Sequence, residues 1–286
     1  MPGRILIGLD TPKHGAVLAE LGIRWAQRCG AAIVGLGIVD EPGIRAIEPA
    51  WPVGGTPGVD PVYYMGYEAR LAGVHQQVGQ LLEQFAARCA LAGVAHAEVK
   101  AVGSPDKLIA AEAQSCDLVV LARGSRFHFT ARDDDSDEIL RKVLKDTPRP
   151  IIVVPATPCP DGPVVIAYDG SLQAARALAA FQATGLGGLG GAGEVHIISV
   201  DASAAVAAQH AERAREFLGH HKIEAVPLAL ESSAPPAKVI LEQVGRLNAG
   251  LLVMGAYGQP VLREFFLGSV TRTVLSETTV PLCLFH

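Results

Sequence analysis

The sequence predicts an α/β chain made of two consecutive domains, each an open, doubly wound parallel sheet of five strands flanked by helices. Its 286 residues are more than one compact domain usually needs. Its apolar runs are continuous stretches of Val, Ile and Leu, which is typical of parallel strands covered by helices on both faces. Runs of this kind also recur along the chain in the same order, so the second half repeats the architecture of the first.

The repeat is clearest in four pairs of apolar runs. Two of the runs in each half lead directly into an aspartate, which strengthens the match. The pairs are 4–10 with 163–169, 32–39 with 195–200, 117–121 with 250–254, and 150–154 with 281–285.

Helical stretches separate these strands. We predict helices at 14–29, 67–92, 105–115 and 136–146 in the first half, and at 171–183, 203–219, 236–247 and 269–278 in the second. Each half then has the order β-α-β-α-β-α-β-α-β, a Rossmann-like arrangement that binds ligands at the carboxyl ends of its strands. The predicted domains are 1–158 and 162–286, and the proline-rich segment 155–162 joins them as a stiff linker.

The first half is longer than the second between its second and fourth strands. The additional residues correspond largely to 41–66, a stretch rich in Pro and Gly that also contains Trp51, Tyr63 and Tyr64. We expect a long loop here, which would either close over a site or cover an interface. Interface cover is favoured, because nothing in the stretch is chemically distinctive.

Composition and charge exclude several classes of protein. A chain with 49% hydrophobic and 19% charged residues is not mostly disordered, and a net charge of -5 argues against a broadly basic nucleic-acid-binding protein. The longest apolar runs are too short to cross a bilayer, and the first residues lack the apolar core of a signal peptide. The five scattered cysteines have no zinc-site spacing and suit a reducing compartment. We therefore expect a cytoplasmic protein with no membrane or nucleic-acid partner.

The second half carries one motif with clear chemistry. Its fourth strand runs into Met254 and Gly255, Gly258 follows, and Gly268 and Ser269 open the last predicted helix. Glycines let the backbone adopt a positive φ and come close to a ligand without a Cβ in the way. The free N–H groups at a helix start form an anion site, to which Ser269 can add a hydroxyl, and Ser269 can also cap the helix. Turn glycines and an ordinary cap are the alternative interpretation.

In this context the segment 253–271 resembles the ATP-binding loop of the universal stress protein family. The resemblance extends over 163–286 and, more weakly, over 4–154. It includes Asp169 after the first strand of the second half, Val200 in the next strand, and the helix opening at Pro235. It implies a tandem universal stress protein with a pair of Rossmann-like domains.

The resemblance also implies roles for the site residues. Asp169 would meet adenine or ribose, and Val200 would contact adenine through its backbone. Capping of the following helix is the alternative role for Asp169, and it is compatible with ligand contact. Met254 would lie beside the nucleotide, with Mg²⁺ alongside the phosphates. Gly255 and Gly258 would lie at ribose and phosphate, and Gly268 and Ser269 would hold the polyphosphate. The predicted nucleotide-binding residues are Asp169, Ser171, Val200, Met254, Gly255, Gly258, Gly268 and Ser269.

The first half departs from this pattern. Ala122 and Ser125 replace the first two glycines of the loop, and the third falls within the acidic run 133–138. Asp10 remains after the first strand. We therefore expect a degenerate copy that keeps the fold and binds no triphosphate. The acidic run could also be a solvated helix start that needs no ligand.

Two other patterns are weaker. The stretch 185–190 matches G-x-G-x-x-G, but a predicted helix precedes it and a strand follows, the reverse of the order in a dinucleotide site. His210, His220 and His221 lie on or near a predicted helix without a carboxylate or thiol that would complete a metal site. We interpret them as part of a solvated face.

Three functions fit these observations. The favoured one is a stress-response regulatory protein that binds ATP, with Mg²⁺, in its second domain. A slow ATPase or nucleotide-dependent phosphotransferase is the first alternative, although the sequence offers no Walker lysine and no evident general base. Lys238 and Arg263 are the nearby cations that could stabilise charge. A scaffold that binds no nucleotide is the second alternative.

The two fifth strands are expected to pair within one chain. Both 151–154 and 282–285 are apolar and follow a proline, and an unpaired edge of that kind invites aggregation. The resemblance points the same way, because members of the family dimerise along this edge. A further homodimer of two chains is left open.

Overall fold

The fold was determined as a computed structural model. It describes residues 3–46, 61–125, 127, 138–157, 159–189, 194–256 and 268–286. Strands and helices alternate through both halves, as the sequence predicts.

The first half contains five strands with helices between them. Its elements are β1 (Arg4–Leu9), α1 (Pro12–Cys29), β2 (Ala32–Val39), α2 (Glu41–Ala46), α3 (Pro61–Leu91), β3 (His96–Val102), α4 (Pro105–Ala113), β4 (Leu118–Ala122), α5 (Glu138–Asp146) and β5 (Ile151–Val154).

The second half repeats this order with one helix fewer among the described residues. Its elements are β6 (Val164–Ala167), α6 (Leu172–Thr184), a 3₁₀ turn (Leu186–Leu189), β7 (Val195–Asp201), α7 (Ala204–His220), β8 (Val226–Glu231), α8 (Pro236–Arg246), β9 (Leu251–Gly255), α9 (Ser269–Glu277) and β10 (Leu282–Phe285).

The ten strands that the structure describes form one sheet in the order β3-β2-β1-β4-β5-β10-β9-β6-β7-β8. Each half contributes five parallel strands, and the halves meet where β5 pairs with β10 in antiparallel register, Ile152 opposite Cys283. The predicted pairing of the two fifth strands is therefore confirmed. It buries both apolar edges, since every residue of β5 is buried.

The third strand of each half does not fit the prediction of continuous apolar runs. β3 and β8 alternate between exposed and half-buried residues, because they lie at the two outer ends of the sheet. An end strand has one face or edge toward water, so polar residues such as Glu98 and Lys100 are tolerated there and also discourage edge-to-edge pairing.

Helices cover the sheet on both faces and divide the core into two layers. Leu18 of α1, Val78 of α3 and Phe181 of α6 are buried in one layer. Ile109 of α4 and Val274 of α9 are buried in the other. The central strands are covered on both faces, which explains why their sequences are apolar throughout.

The segment 41–66 differs from the expected long loop at both ends. Residues 41–46 form α2, and α3 begins at Pro61. The short helix starts where it does because the Asp40 carboxylate accepts a hydrogen bond of 2.9 Å from the Gly43 amide, three residues on. The predictions that concern residues 47–60, Trp51 among them, lie outside the described residues.

The linker is held against α1. Arg28 forms a charged pair with Asp161 that lowers the pKa of that carboxyl, and Arg24 donates hydrogen bonds to the carbonyl of Cys159.

Among the helices that the structure describes, none combines the length and the apolar character needed to span a bilayer.

Candidate functional site

A cleft opens at the carboxyl ends of the central strands of the second half. Its walls come from β6, β7 and β9 and from the first turns of α6, α8 and α9, and it encloses about 820 Å³ including its open mouth. This is the edge where doubly wound sheets bind ligands. The lining residues are Ala167, Tyr168, Asp169, Ser171, Gln173, Ala174, Ile198, Val200, Pro236, Ile240, Met254, Gly255, Gly268, Ser269, Val270 and Thr271.

Most of the predicted site residues meet at this cleft. Seven of them line it, namely Asp169, Ser171, Val200, Met254, Gly255, Gly268 and Ser269. Gly258 and Arg263 lie outside the described residues. Lys238 is exposed and is not among the residues that line the cleft.

The turn between β6 and α6 presents an acidic side chain to the cleft. Asp169 is exposed, and its carboxylate accepts a hydrogen bond of 3.0 Å from the Ser171 amide. The Ser171 hydroxyl caps α6 by accepting a hydrogen bond of 3.2 Å from the Ala174 amide. Gly170 adopts a φ of 76°, a conformation that glycine takes without strain. The predicted alternative role for Asp169, capping the helix, therefore falls to Ser171.

His210 of α7 lies against the same turn. A Cβ built on Gly170 would come within 2.7 Å of its Nε2 atom, so a larger residue in the turn would push this ring aside. His220 and His221 are exposed, as expected for a solvated face, whereas His210 is half-buried and departs from that interpretation.

One wall of the cleft is apolar. Ile198 and Met254 are buried, and Val200 and Ile240 lie beside them in the same core layer. Such a surface suits a flat heterocycle, which gains free energy when it leaves water. Tyr168 borders the cleft from the other core layer, and burial raises the pKa of its phenol.

Gly255 is needed for packing. A Cβ at this position would lie 2.6 Å from the Gln173 carbonyl carbon and 2.8 Å from the Ala174 amide nitrogen. Among the described residues Gly255 is also absent from those with positive φ, so the predicted positive φ is wrong. The close contact arises because the first turn of α6 passes directly over the end of β9.

The first turn of α9 offers backbone donors to the cleft. Gly268 is the N-cap and has no side chain to bond the helix, so the predicted capping role of Ser269 is wrong and Ser269 is the first helical residue. The first bond inside the helix joins the Arg272 amide to the Gly268 carbonyl at 2.9 Å. The N–H groups before Arg272 are therefore left for another acceptor, and the positive end of the helix dipole points the same way.

The corresponding edge of the first half is closed by its own side chains. Asp10 is 2% exposed, and the His14 ring lies within 3.0 Å of its carboxylate. Phe127 is fully buried, and a Cβ on Gly8 at the end of β1 would lie 3.1 Å from its ring. Gly8 matches Ala167 of the second half, which lines the open cleft. The aspartate and the apolar wall that line the cleft in the second half are thus both covered by side chains here.

Several residues of both edges escaped prediction. Gln173, Ile198 and Ile240 line the cleft, and a signal for Ile240 existed in the proline-led opening of α8. His14 could have been recognised because it follows Asp10 by four residues on a helix start. Phe127 gave no local signal, because only the folded chain brings it to Gly8.

The pair of His14 and Asp10 predicts a pH dependence of stability. The hydrogen bond to Asp10 raises the pKa of His14 above its ordinary value of 6.5, against the opposing effect of burial. A raised folded-state pKa means that the stabilisation is complete below the unfolded pKa and is lost as the pH rises through the folded one. His14→Gln should therefore lower the melting temperature more at about pH 5.5 than at about pH 8.5. Thermal melts of both chains at the two pH values test this, and an equal difference at both would contradict it.

Residues 162–286 match the sequence model of the universal stress protein family. The second half is a universal stress protein domain. The cleft described above lies entirely within this universal stress protein domain, between Ala167 and Thr271.

Known proteins extend the similarity beyond this domain. A curated universal stress protein from Synechocystis sp. is 28% identical over 152 residues, covering 51% of this chain and 50% of the relative, so the match spans about half the length of that relative. The crystal structure of a universal stress protein from Archaeoglobus fulgidus covers 99% of this chain and 95% of its own, with a TM-score of 0.65 and 21% identity.

A functionally unknown protein from Pseudomonas aeruginosa has the same fold, with a TM-score of 0.59 and 15% identity over 99% of this chain and 92% of its own. These two structures resemble the chain over its whole length, which shows that the fold of the universal stress protein domain is present in a tandem arrangement.

Proposed function

We propose that the chain is a stress-response regulatory protein that binds ATP in the cleft of its second half. The observation that carries the proposal is the convergence of an apolar wall, an exposed carboxylate and a helix start at one sheet edge. Base, ribose and phosphates need these three surfaces in that combination. The family match of residues 162–286 supports the same conclusion.

The described contacts suggest how the nucleotide would lie. The apolar wall formed by Val200, Ile240 and Met254 would take adenine, and the carboxylate of Asp169 would accept hydrogen bonds from ribose hydroxyls. The phosphates would accept hydrogen bonds from the N–H groups of the first turn of α9, which have no acceptor within the helix. The helix dipole also favours negative charge there. Of the described residues that line the cleft, Asp169 alone carries a charge. Backbone donors would therefore supply most of the phosphate recognition.

Mg²⁺ would arrive with the nucleotide. No group of three or more His, Cys, Asp or Glu side chains suited to a metal occurs in the part of the chain that the structure describes. Mg²⁺ commonly binds through substrate phosphates and one or two carboxylates, and among the described residues that line the cleft Asp169 supplies a carboxylate. When bound, the ion would neutralise phosphate charge.

We expect one ATP for each chain. The first half would bind none, because Asp10 already bonds His14 and Phe127 packs against the end of β1. Isothermal titration calorimetry of the full chain should give a stoichiometry of one. A stoichiometry of two would show that the first half also binds and that its closed edge opens.

A regulatory role fits the cleft better than catalysis. Lys238, which could have stabilised a transition state, does not line the cleft, and no described lining residue other than Asp169 could act as a base. A single-turnover assay with excess protein separates the two functions. Release of phosphate on the time scale of minutes would favour a slow ATPase, and intact ATP after hours would favour a binding protein.

A further inference from the structure

The turn that follows β4 in the first half reaches across to the second half. Residues 122–125 form a tight turn in which the Ser125 amide bonds the Ala122 carbonyl and Gly124 has a φ of 75°. The Arg123 amide bonds the carbonyl of Val154 at 2.7 Å, which ties the turn to β5. The side chain of Arg123 is thereby directed toward the second half.

Arg123 binds the carboxyl end of α9. Its Nη1 atom lies 3.2 Å from the Leu275 carbonyl oxygen, 3.0 Å from that of Ser276 and 2.8 Å from that of Thr278. The last carbonyls of a helix have no partner within the helix, and a cation there also complements the helix dipole. A half-buried arginine of one half thus completes the end of a helix in the other.

The arrangement is not symmetric. The residue of the second half that matches Arg123 is Ala256, whose amide makes the equivalent backbone bond to Phe285 at 2.7 Å but which has no side chain to reach α5. The degenerate loop of the first half therefore differs from a nucleotide loop by more than the loss of glycines. It has acquired a contact with the helix whose other end borders the cleft.

We propose that Arg123 is a positioning residue for phosphate recognition, an inference that rests on the ATP site proposed above. α9 has nine residues and is rigid over that length, about 13 Å. Because Arg123 holds the carboxyl end of α9, it also fixes the position of the amino end. The backbone donors of Gly268 and Ser269 lie at that amino end. Adenine and ribose contact other elements, so their binding does not depend on Arg123.

The experiment measures the affinities for ATP and AMP by calorimetry on the full chain. Arg123→Ala should weaken ATP about five- to tenfold and AMP less than about twofold, because AMP makes few contacts with α9. Arg123→Lys keeps a cation with three donors and should recover part of the ATP affinity. Relative to the unmodified chain, Arg123→Ala should show faster amide hydrogen exchange in α9, whereas the exchange rates in α8 should stay the same.

Arg149→Ala is the matched control. Arg149 donates hydrogen bonds to the carbonyls of Ala113 and Gln114 at the end of α4, so it makes the same kind of contact, but within the first half. This variant should bind ATP and AMP as the unmodified chain does, with a similar change in melting temperature to Arg123→Ala.

Each other outcome is decisive. Unchanged ATP affinity in folded Arg123→Ala, or equal losses for ATP and AMP, would overturn the positioning role while leaving the ATP site intact. If Arg149→Ala lost as much affinity for ATP as Arg123→Ala, the effect would come from a general loss of stability, and the positioning role would be overturned. If Arg123→Ala does not fold, Arg123→Lys decides the question. A larger loss of affinity for ATP than for AMP in this variant would support the positioning role, and equal losses would overturn it. An unmodified chain that binds no ATP would overturn the proposed function, and this inference with it.

Discussion

Gly268→Asp should lower the affinity of the chain for ATP by at least about a hundredfold. The new carboxylate would stand at the N-cap of α9, beside the backbone donors that we assign to the phosphates. Two like charges about 4 Å apart repel by roughly 4 kcal/mol at a protein-like dielectric, and partial exposure reduces this without removing it. Calorimetry with ATP measures the loss directly.

The same substitution should not harm the fold. Gly268 has a φ of -53° and a ψ of 152°, which any residue can adopt, and aspartate is a preferred N-cap. The melting temperature should therefore stay equal or rise. Gly268→Ala adds a Cβ without charge and serves as the comparison, with a much smaller loss of ATP affinity than Gly268→Asp. Full ATP affinity in Gly268→Asp would show that the phosphates do not lie at α9.

Gly255→Val should lower the free energy of unfolding by about 3 kcal/mol and abolish ATP binding together with it. The valine Cβ would fall within 2.8 Å of backbone atoms of Gln173 and Ala174, which cannot rotate away. The first turn of α6 would have to move off β9, and both residues of that turn line the cleft. Urea denaturation followed by circular dichroism, with calorimetry for ATP, tests both parts.

Gly245→Ala is the control for this variant. Gly245 lies in α8 of the same half, and a Cβ there would meet nothing within 4 Å. Alanine should stabilise the helix by about 0.5–1 kcal/mol and leave ATP binding unchanged. If Gly255→Val were as stable as the unmodified chain, the close packing of α6 on β9 would not be a property of the protein in solution.

Local pattern predicted the elements well because each is encoded by nearby residues. The sequence predicts α9 at 269–278, and the helix spans Ser269–Glu277. It predicts α5 at 136–146, and that helix spans Glu138–Asp146. The pairing of β5 with β10 was predictable from the need to bury two apolar edges. The capping roles of Ser171 and Gly268 were not, because a shift of one residue in where a helix starts changes which side chain caps it.

The sequence by itself determined the repeat, most of the strands and helices, and seven of the residues that converge on one sheet edge. Only the tertiary structure decided which distant residues pack against each other. Gly255 makes room for Gln173, Phe127 packs against Gly8, and Arg123 holds a helix more than 140 residues further along the chain. Periodicity and spacing report only which face of its own element a residue occupies, whereas these contacts depend on how separate elements approach each other, which the packing of the whole chain sets.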